Sequence, residues 1–69
     1  MDQDLNVGAR VHLIAGHMDG MITGLAPKTE RQRNGTPIAT VPGAWVLWDG
    51  EEEPALWALY ELEPAPAVQ

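Results

Sequence analysis

The sequence predicts a small all-β domain, and three features of the chain lead to this fold class. Short segments alternate apolar and polar residues with a period of two, which is typical of half-buried strands. Residue pairs that favour tight turns, Asp19-Gly20, Asn34-Gly35 and Asp49-Gly50, lie between or beside these segments. The chain has 69 residues and no cysteine, so we expect one domain without a disulfide or a cysteine-based zinc site.

Residues 9–14 are predicted to form the first strand, after an opening turn at Val7-Gly8. The alternation directs two apolar side chains, Val11 and Leu13, toward the core. The opposite face of this strand carries the other three side chains, which are Arg10, His12 and Ile14.

The next part of the chain is predicted to be a turn, a short strand and a loop. Residues 15–20 have turn chemistry, and residues 21–25 form the second strand with Ile22 pointing inward. Gly24 permits a bend in this strand. The segment 26–35 is predicted to be a loop, because it combines proline, a run of charged residues and an Asn-Gly pair.

Two further strands are predicted in the second half. Residues 36–41 form one, Pro42-Gly43 turns the chain, and residues 44–49 form a strand rich in tryptophan and valine. The alternation in this last strand places Val46 and Trp48 on one face and Trp45 and Leu47 on the other.

Residues 51–63 fit two structures on pattern alone. Residues 51–54 resemble a helix start, because acidic side chains stand near the positive end of the dipole and proline takes the first helical position. The alternative is a strand at 55–57, a 3₁₀ turn at 58–60 and a closing strand at 61–63.

Three segments carry motifs of one fold family. Residues 7–14 contain the glycine, arginine and valine of a "GxRV" opening strand, residues 45–50 contain "V-x-W-D-G", and residues 57–64 end in "Leu-Glu-Pro". In this order they resemble the small SH3-like barrels of the KOW-like and Tudor-like group. The resemblance implies a five-stranded barrel with a 3₁₀ turn before the last strand. It leaves residues 26–43 as a long insertion, expected to protrude as a hairpin.

The opening segment, from Gly8 to Val11, and Gly16 and Gly24 are also similar to plasmid-type (type II) dihydrofolate reductase. That enzyme has the same barrel and works as a homotetramer around a shared pore. The family lines the pore with a Val-Gln-Ile-Tyr stretch, whereas residues 54–57 read Pro-Ala-Leu-Trp. The glutamine that helps to hold the ring systems is missing, so the resemblance implies kinship of fold without reductase activity.

The charge of the chain restricts the class of partner. Ten acidic residues oppose four Lys or Arg, which gives a formal net charge of −6. A general nucleic-acid binder or a protein that docks on an anionic membrane is usually basic, so neither is expected. The acidic N-terminus lacks the pattern of a signal peptide, which favours a cytoplasmic location. We expect a frayed segment at 1–6, the barrel at 7–63 and a Pro/Ala tail at 64–69.

The predicted interface consists of apolar side chains that point away from the core. If Val46 and Trp48 face inward, as the SH3-like resemblance implies, Trp45 and Leu47 face outward, and Ile14 and Met21 extend the same patch. Exposed apolar patches mark interfaces, and tryptophan is enriched among their hot spots. The alternative is that the 26–43 insertion folds back and covers them.

Two charged groups are secondary candidates. The acidic turn consists of Asp49, Glu51, Glu52 and Glu53, and it fits a solvated turn or a contact for a basic partner. It lacks the spaced ligands of a calcium loop. The basic loop consists of Lys28, Arg31 and Arg33, and it fits an anion contact or a solvated loop without stacking aromatics. His12 and His17 have no zinc-site spacing, so no metal and no cofactor are predicted.

The predicted function is therefore non-catalytic binding of another protein, or self-association into a homo-oligomer. No Ser-His-Asp pattern, phosphate-binding glycine loop or dinucleotide fingerprint indicates an enzyme. Small size and acidity fit an accessory protein of a phage, plasmid or gene cassette that acts on a host protein. The alternatives are an oligomeric enzyme with its site on a symmetry axis and a nucleic-acid-binding module that uses residues 28–33.

Overall fold

The computed structural model describes residues 5–65, which form one five-stranded antiparallel sheet. A 3₁₀ turn, Leu59–Glu61, precedes the last strand. The strands are β1 (Arg10–Leu13), β2 (Asp19–Arg31), β3 (Pro37–Trp48), β4 (Ala55–Ala58) and β5 (Leu62–Pro64). Their order is β4-β3-β2-β1-β5, so β4 and β5 lie at the edges. The predicted all-β class, the five strands and the 3₁₀ turn before the last strand are confirmed.

The core lies on one face of the sheet, and the alternation along the strands explains its composition. The buried apolar side chains that form this cluster are Val11, Leu13, Ile22, Ala44, Val46, Trp48 and Leu62. The predicted inward positions in residues 9–14, 21–25 and 44–49 are thus confirmed. Trp48 meets the half-buried ring of Trp57 edge to face, with a centroid separation of 5.7 Å and an interplanar angle of 88°, a geometry that aromatic pairs favour.

The predicted turn at 15–20 is wrong at its C-terminal end. Asp19 and Gly20 pair with His12 and Val11 and therefore begin β2. A Cβ atom on Gly20 would lie 2.6 Å from the carbonyl oxygen of Leu47. Glycine is needed at this position because the backbone of β3 passes close to it. The prediction was wrong because an Asp-Gly pair, considered without its neighbouring strands, indicates a tight turn.

The predicted loop at 26–35 and the predicted turn at Pro42-Gly43 are both wrong. β2 and β3 stay paired from Leu25 and Ala44 to Arg31 and Pro37 and form a long two-stranded arm, defined here as residues 25–43. The segments 36–41 and 44–49 therefore belong to a single strand.

Proline is tolerated inside the arm because of its position. Pro27 lies directly opposite Pro42. Neither residue can donate a hydrogen bond, so the pair fits a position where the missing N–H groups would point away from the partner strand, toward the unpaired edges of the arm. At the tip, Gly35 has a φ of 91° and its N–H donates to the Gln32 carbonyl at 2.9 Å, which confirms the turn that Asn34-Gly35 predicts.

A β-bulge marks the point where the arm leaves the core. The pairing of β2 with β3 shifts between Ile22 and Gly24, so that Thr23 is the additional residue opposite Trp45. The Thr23 hydroxyl donates a hydrogen bond to the Trp45 carbonyl at 3.4 Å. The bend predicted at Gly24 therefore coincides with the bulge.

The end of the chain folds against β1. The Ile14 N–H donates to the Glu61 carbonyl at 3.0 Å, which attaches the 3₁₀ turn to the end of β1. Pro64, the predicted first residue of the Pro/Ala tail, instead ends β5 opposite Val11, as an edge strand permits. The predictions for residues 1–4 and 66–69 concern positions outside the described residues.

Candidate protein-binding surface

Four apolar side chains lie on the face of the sheet opposite the core. Met21 pairs with Leu47 across β2 and β3, and Trp45 pairs with Leu56 across β3 and β4. Met21 is 38% exposed and Trp45 is 40% exposed, while Leu47 and Leu56 are half-buried. We call this surface the outer patch: Met21, Trp45, Leu47 and Leu56. The arm does not cover Trp45, contrary to the alternative of a folded-back insertion.

The structure brings together three of the four predicted interface residues and separates the fourth. Ile14 follows β1. The strand registers place it six residues from Trp45 in the direction of the strands, which corresponds to about 20 Å. Ile14 instead lines a hollow of about 330 Å³ together with Leu13, Ala15, Trp57, Tyr60 and Glu61. Its exposure therefore belongs to a second surface.

Leu56 is the member of the outer patch that the sequence did not predict. Residues 51–63 fitted a helix as well as a strand, so no face could be assigned to Leu56. Only the pairing of β4 with β3 places it beside Trp45. Trp45 in the neighbouring strand was the one sequence signal for an apolar surface here. The strand register that brings Leu56 beside it is set by the tertiary structure.

An ion pair borders the outer patch. The Arg10 guanidinium donates two hydrogen bonds to the Asp49 carboxylate, at 3.0 and 2.7 Å, and so joins β1 to the end of β3. These bonds raise the pKa of Arg10 and lower the pKa of Asp49. His12 Nδ1 lies 2.6 Å from a carboxylate oxygen of Asp19 on the same face. Asp49, predicted as part of an acidic contact, is thus paired within the chain.

The remaining acidic residues of that turn are exposed. Glu51, Glu52 and Glu53 follow Gly50, whose φ of 91° forms the turn between β3 and β4. Within residues 5–65, none of these three carboxylates makes a side-chain hydrogen bond or an ion pair. No group of three or more His, Asp or Glu side chains in the described residues could hold a metal ion.

The predicted basic loop is part of the arm, and its cations do not converge. Lys28 Nζ lies 2.7 Å from a Glu30 carboxylate oxygen, and the Tyr60 hydroxyl donates to the same carboxylate. Arg31 donates to the Gly35 carbonyl at 2.9 Å. The Lys28 bond, followed by the Tyr60 bond, lowers the pKa of Glu30, and both Lys28 and Tyr60 have a raised pKa for the same reason.

An apolar groove of about 490 Å³ lies where the arm meets the 3₁₀ turn. Leu25, Pro27, Pro42 and Leu59 contribute to its walls. The indole N–H groups of Trp48 and Trp57 are buried without a hydrogen-bond partner in the described residues, which indicates that packing holds these rings. The described surface therefore offers apolar areas for contact and no assembled set of reactive groups.

No protein-family model, curated protein or solved structure matches this chain. Among the described residues, no helix is both long enough and apolar enough to cross a membrane.

Proposed function

We propose that this protein is a non-catalytic protein-binding module and that the outer patch is its contact surface. The observation that carries the proposal is a half-exposed tryptophan, Trp45, on a central strand and next to three further apolar side chains. Tryptophan in such a setting combines a large contact area with little loss of conformational freedom, and it is over-represented among interface hot spots.

We infer that the partner is a protein with a basic surface. The chain carries a net charge of −6, and Glu51, Glu52 and Glu53 are exposed at the turn between β3 and β4. Opposite charge would accelerate the encounter, and like charge opposes the approach of a second copy. Self-association stays a prediction, and light scattering over a wide range of protein concentration tests it.

The SH3-like resemblance belongs to this proposal. Five antiparallel strands with a 3₁₀ turn before the last strand are the element order that the resemblance implies, and this order supports kinship with that group. Fold kinship leaves the function open. The proposed function therefore depends on the outer patch.

The test compares Trp45→Ser with Ile38→Ser, a matched control on the exposed part of the arm, where Ile38 is 62% exposed. Proteins captured from the source cell by the immobilised full chain are quantified by mass spectrometry. We expect a partner that wild type and Ile38→Ser retain equally. Trp45→Ser should bind it roughly 30-fold more weakly, the effect of losing a hot-spot residue. Equal capture by the two variants, or a basic partner bound equally well after charge neutralisation at Glu51, Glu52 and Glu53, contradicts the proposal.

A further inference from the structure

Strand β4 has one side without a neighbouring strand. Ala55–Ala58 pairs with β3 only, and β4 is an edge of the sheet. The Ala58 N–H donates to the Glu61 carboxylate at 3.1 Å, so this N–H points away from β3. Backbone groups two residues apart in a strand point to the same side, so the N–H and C=O of Leu56 face the free edge. Within residues 5–65, neither group has a hydrogen-bond partner.

The other free edges of the described sheet are blocked. Proline and charged residues are the usual means of preventing a further strand from pairing with an edge. β5 contains Glu63 and Pro64, and the two edges of the arm carry Pro27, Pro37 and Pro42. β4 contains neither proline nor a charged residue. It is therefore the edge of the described sheet that remains available for pairing.

Both faces beside this edge are apolar. Leu56 contributes to the outer patch next to Trp45. On the other side, Trp57 lines the 330 Å³ hollow together with Leu13 and Ile14. An added strand directs alternate side chains to the two faces of the sheet. A segment beside Leu56 would therefore place apolar side chains against Leu56, next to the rest of the outer patch, on one face and toward the hollow on the other.

Acidic side chains stand at both ends of β4. Glu51–Glu53 precede the strand and Glu61 follows it. Two copies that paired antiparallel through β4 would bring Glu51–Glu53 of one copy beside Glu61 of the other, and like charges across strands are destabilising. Lysine or arginine in an incoming segment would instead meet a carboxylate at either end.

We propose that β4 is a docking edge, to which an extended segment of a basic partner, apolar at its centre and carrying Lys or Arg at both ends, adds as a sixth strand beside Leu56. This inference rests on the proposed function, because Leu56 belongs to the outer patch, and it names how the partner is bound. The main-chain hydrogen bonds supply affinity, and the carboxylates select the charge of the segment.

The experiment uses the full ¹⁵N-labelled chain and a capped synthetic heptapeptide of three valines with two lysines at each end. The same peptide with glutamate in place of lysine is the charge control. The lysine peptide should shift the Leu56 amide resonance and slow its hydrogen exchange, and binding should weaken with added salt. The glutamate peptide should leave the amide unchanged.

Leu56→Pro removes the edge donor and spares the β3–β4 hydrogen bonds, because that N–H points away from β3. This variant should lower the affinity for the lysine peptide about tenfold, because one carbonyl of the peptide stays without a hydrogen-bond donor. Ile38→Ser, at an exposed site outside β4 and the outer patch, should bind the lysine peptide within about twofold of wild type. If Leu56→Pro does not fold, a chemically synthesised chain with N-methyl-Leu56 replaces it.

The outcomes separate the two proposals. Equal binding of the lysine and glutamate peptides, or equal binding by Leu56→Pro and wild type, overturns strand addition. Shifts at Met21, Trp45 and Leu47 that persist in Leu56→Pro keep the outer patch and refute the docking edge. Peptide-induced shifts of the Ala55 and Trp57 amides that are lost in Leu56→Pro and unchanged in Trp45→Ser keep the docking edge and refute the outer patch. The absence of any response to the lysine peptide refutes the docking edge.

Discussion

Replacing Gly20 with alanine tests the register of β2 against β3, on which the outer patch depends. The added Cβ would lie 2.6 Å from the Leu47 carbonyl oxygen and 2.9 Å from the Trp48 Cα. Both atoms belong to the backbone of β3, so a rotamer change cannot relieve the contact. Forced repacking of this kind costs about 1–3 kcal/mol.

Gly24→Ala is the matched control on the same strand. Its new Cβ would lie 3.6 Å from Cδ1 of Trp45, an ordinary contact with a side chain, and the backbone of Gly24 has no positive φ. Alanine also restricts the unfolded chain, which stabilises a compatible site by about 0.4–1 kcal/mol. The two Gly→Ala variants should therefore change stability in opposite directions.

Urea unfolding followed by tryptophan fluorescence, with thermal unfolding as a second probe, measures the difference. A chain of 69 residues has a free energy of unfolding of roughly 3.5–10 kcal/mol. A loss of about 1–3 kcal/mol at Gly20 should lower the Tm by about 4–24 °C, and Gly24→Ala should leave it unchanged or raise it. A Gly20→Ala variant as stable as wild type would show that β3 does not approach Gly20 as described, and the adjacency of Met21 and Leu47 would fail with it.

Three further predictions concern the core, the arm and its tip. Ile22→Ala, at a fully buried site, should lower the free energy of unfolding by about 2–5 kcal/mol, as measured by urea unfolding. Ile38→Ala, at an exposed site, should change it by less than about 0.5 kcal/mol. Similar losses at both sites would contradict the assigned core. Hydrogen bonds lower the pKa of Glu30 from its ordinary 4.5, so the stability they contribute is present above that value and disappears as the pH falls through the folded pKa. NMR titration of the Glu30 carboxyl carbon should show a midpoint below 4.5, and Lys28→Met should move this midpoint upward. An unshifted wild-type midpoint argues against the contact. Gly35→Ala, at a φ of 91°, should cost about 1–2 kcal/mol in thermal unfolding, and an unchanged Tm would mean that the tip has another conformation.

Local alternation separated the two faces of each strand correctly, because a period of two holds irrespective of the neighbouring strands. Val11 and Ile22 lie in the core as predicted, and so do Val46 and Trp48, whose inward direction came from the SH3-like resemblance. The outward position of Trp45 follows from the same alternation.

The arm and the docking edge could not be predicted in this way. Pro27 and Pro42 are compatible with a strand only because they lie opposite each other, with their missing donors directed to free edges. That arrangement depends on both residues and cannot be predicted from either segment alone. Likewise, Leu56 becomes part of a surface only through its pairing with Trp45.

The distribution of charge connects these observations to binding. Near the outer patch, Asp49 pairs with Arg10, and Glu30 in the arm pairs with Lys28, so these carboxylates contribute little net field to a partner. Three exposed carboxylates without such partners, Glu51–Glu53, stand immediately before β4. These carboxylates would attract a basic segment to the start of the strand whose edge is unblocked, where, in the proposed strand addition, Leu56 would offer backbone hydrogen bonds.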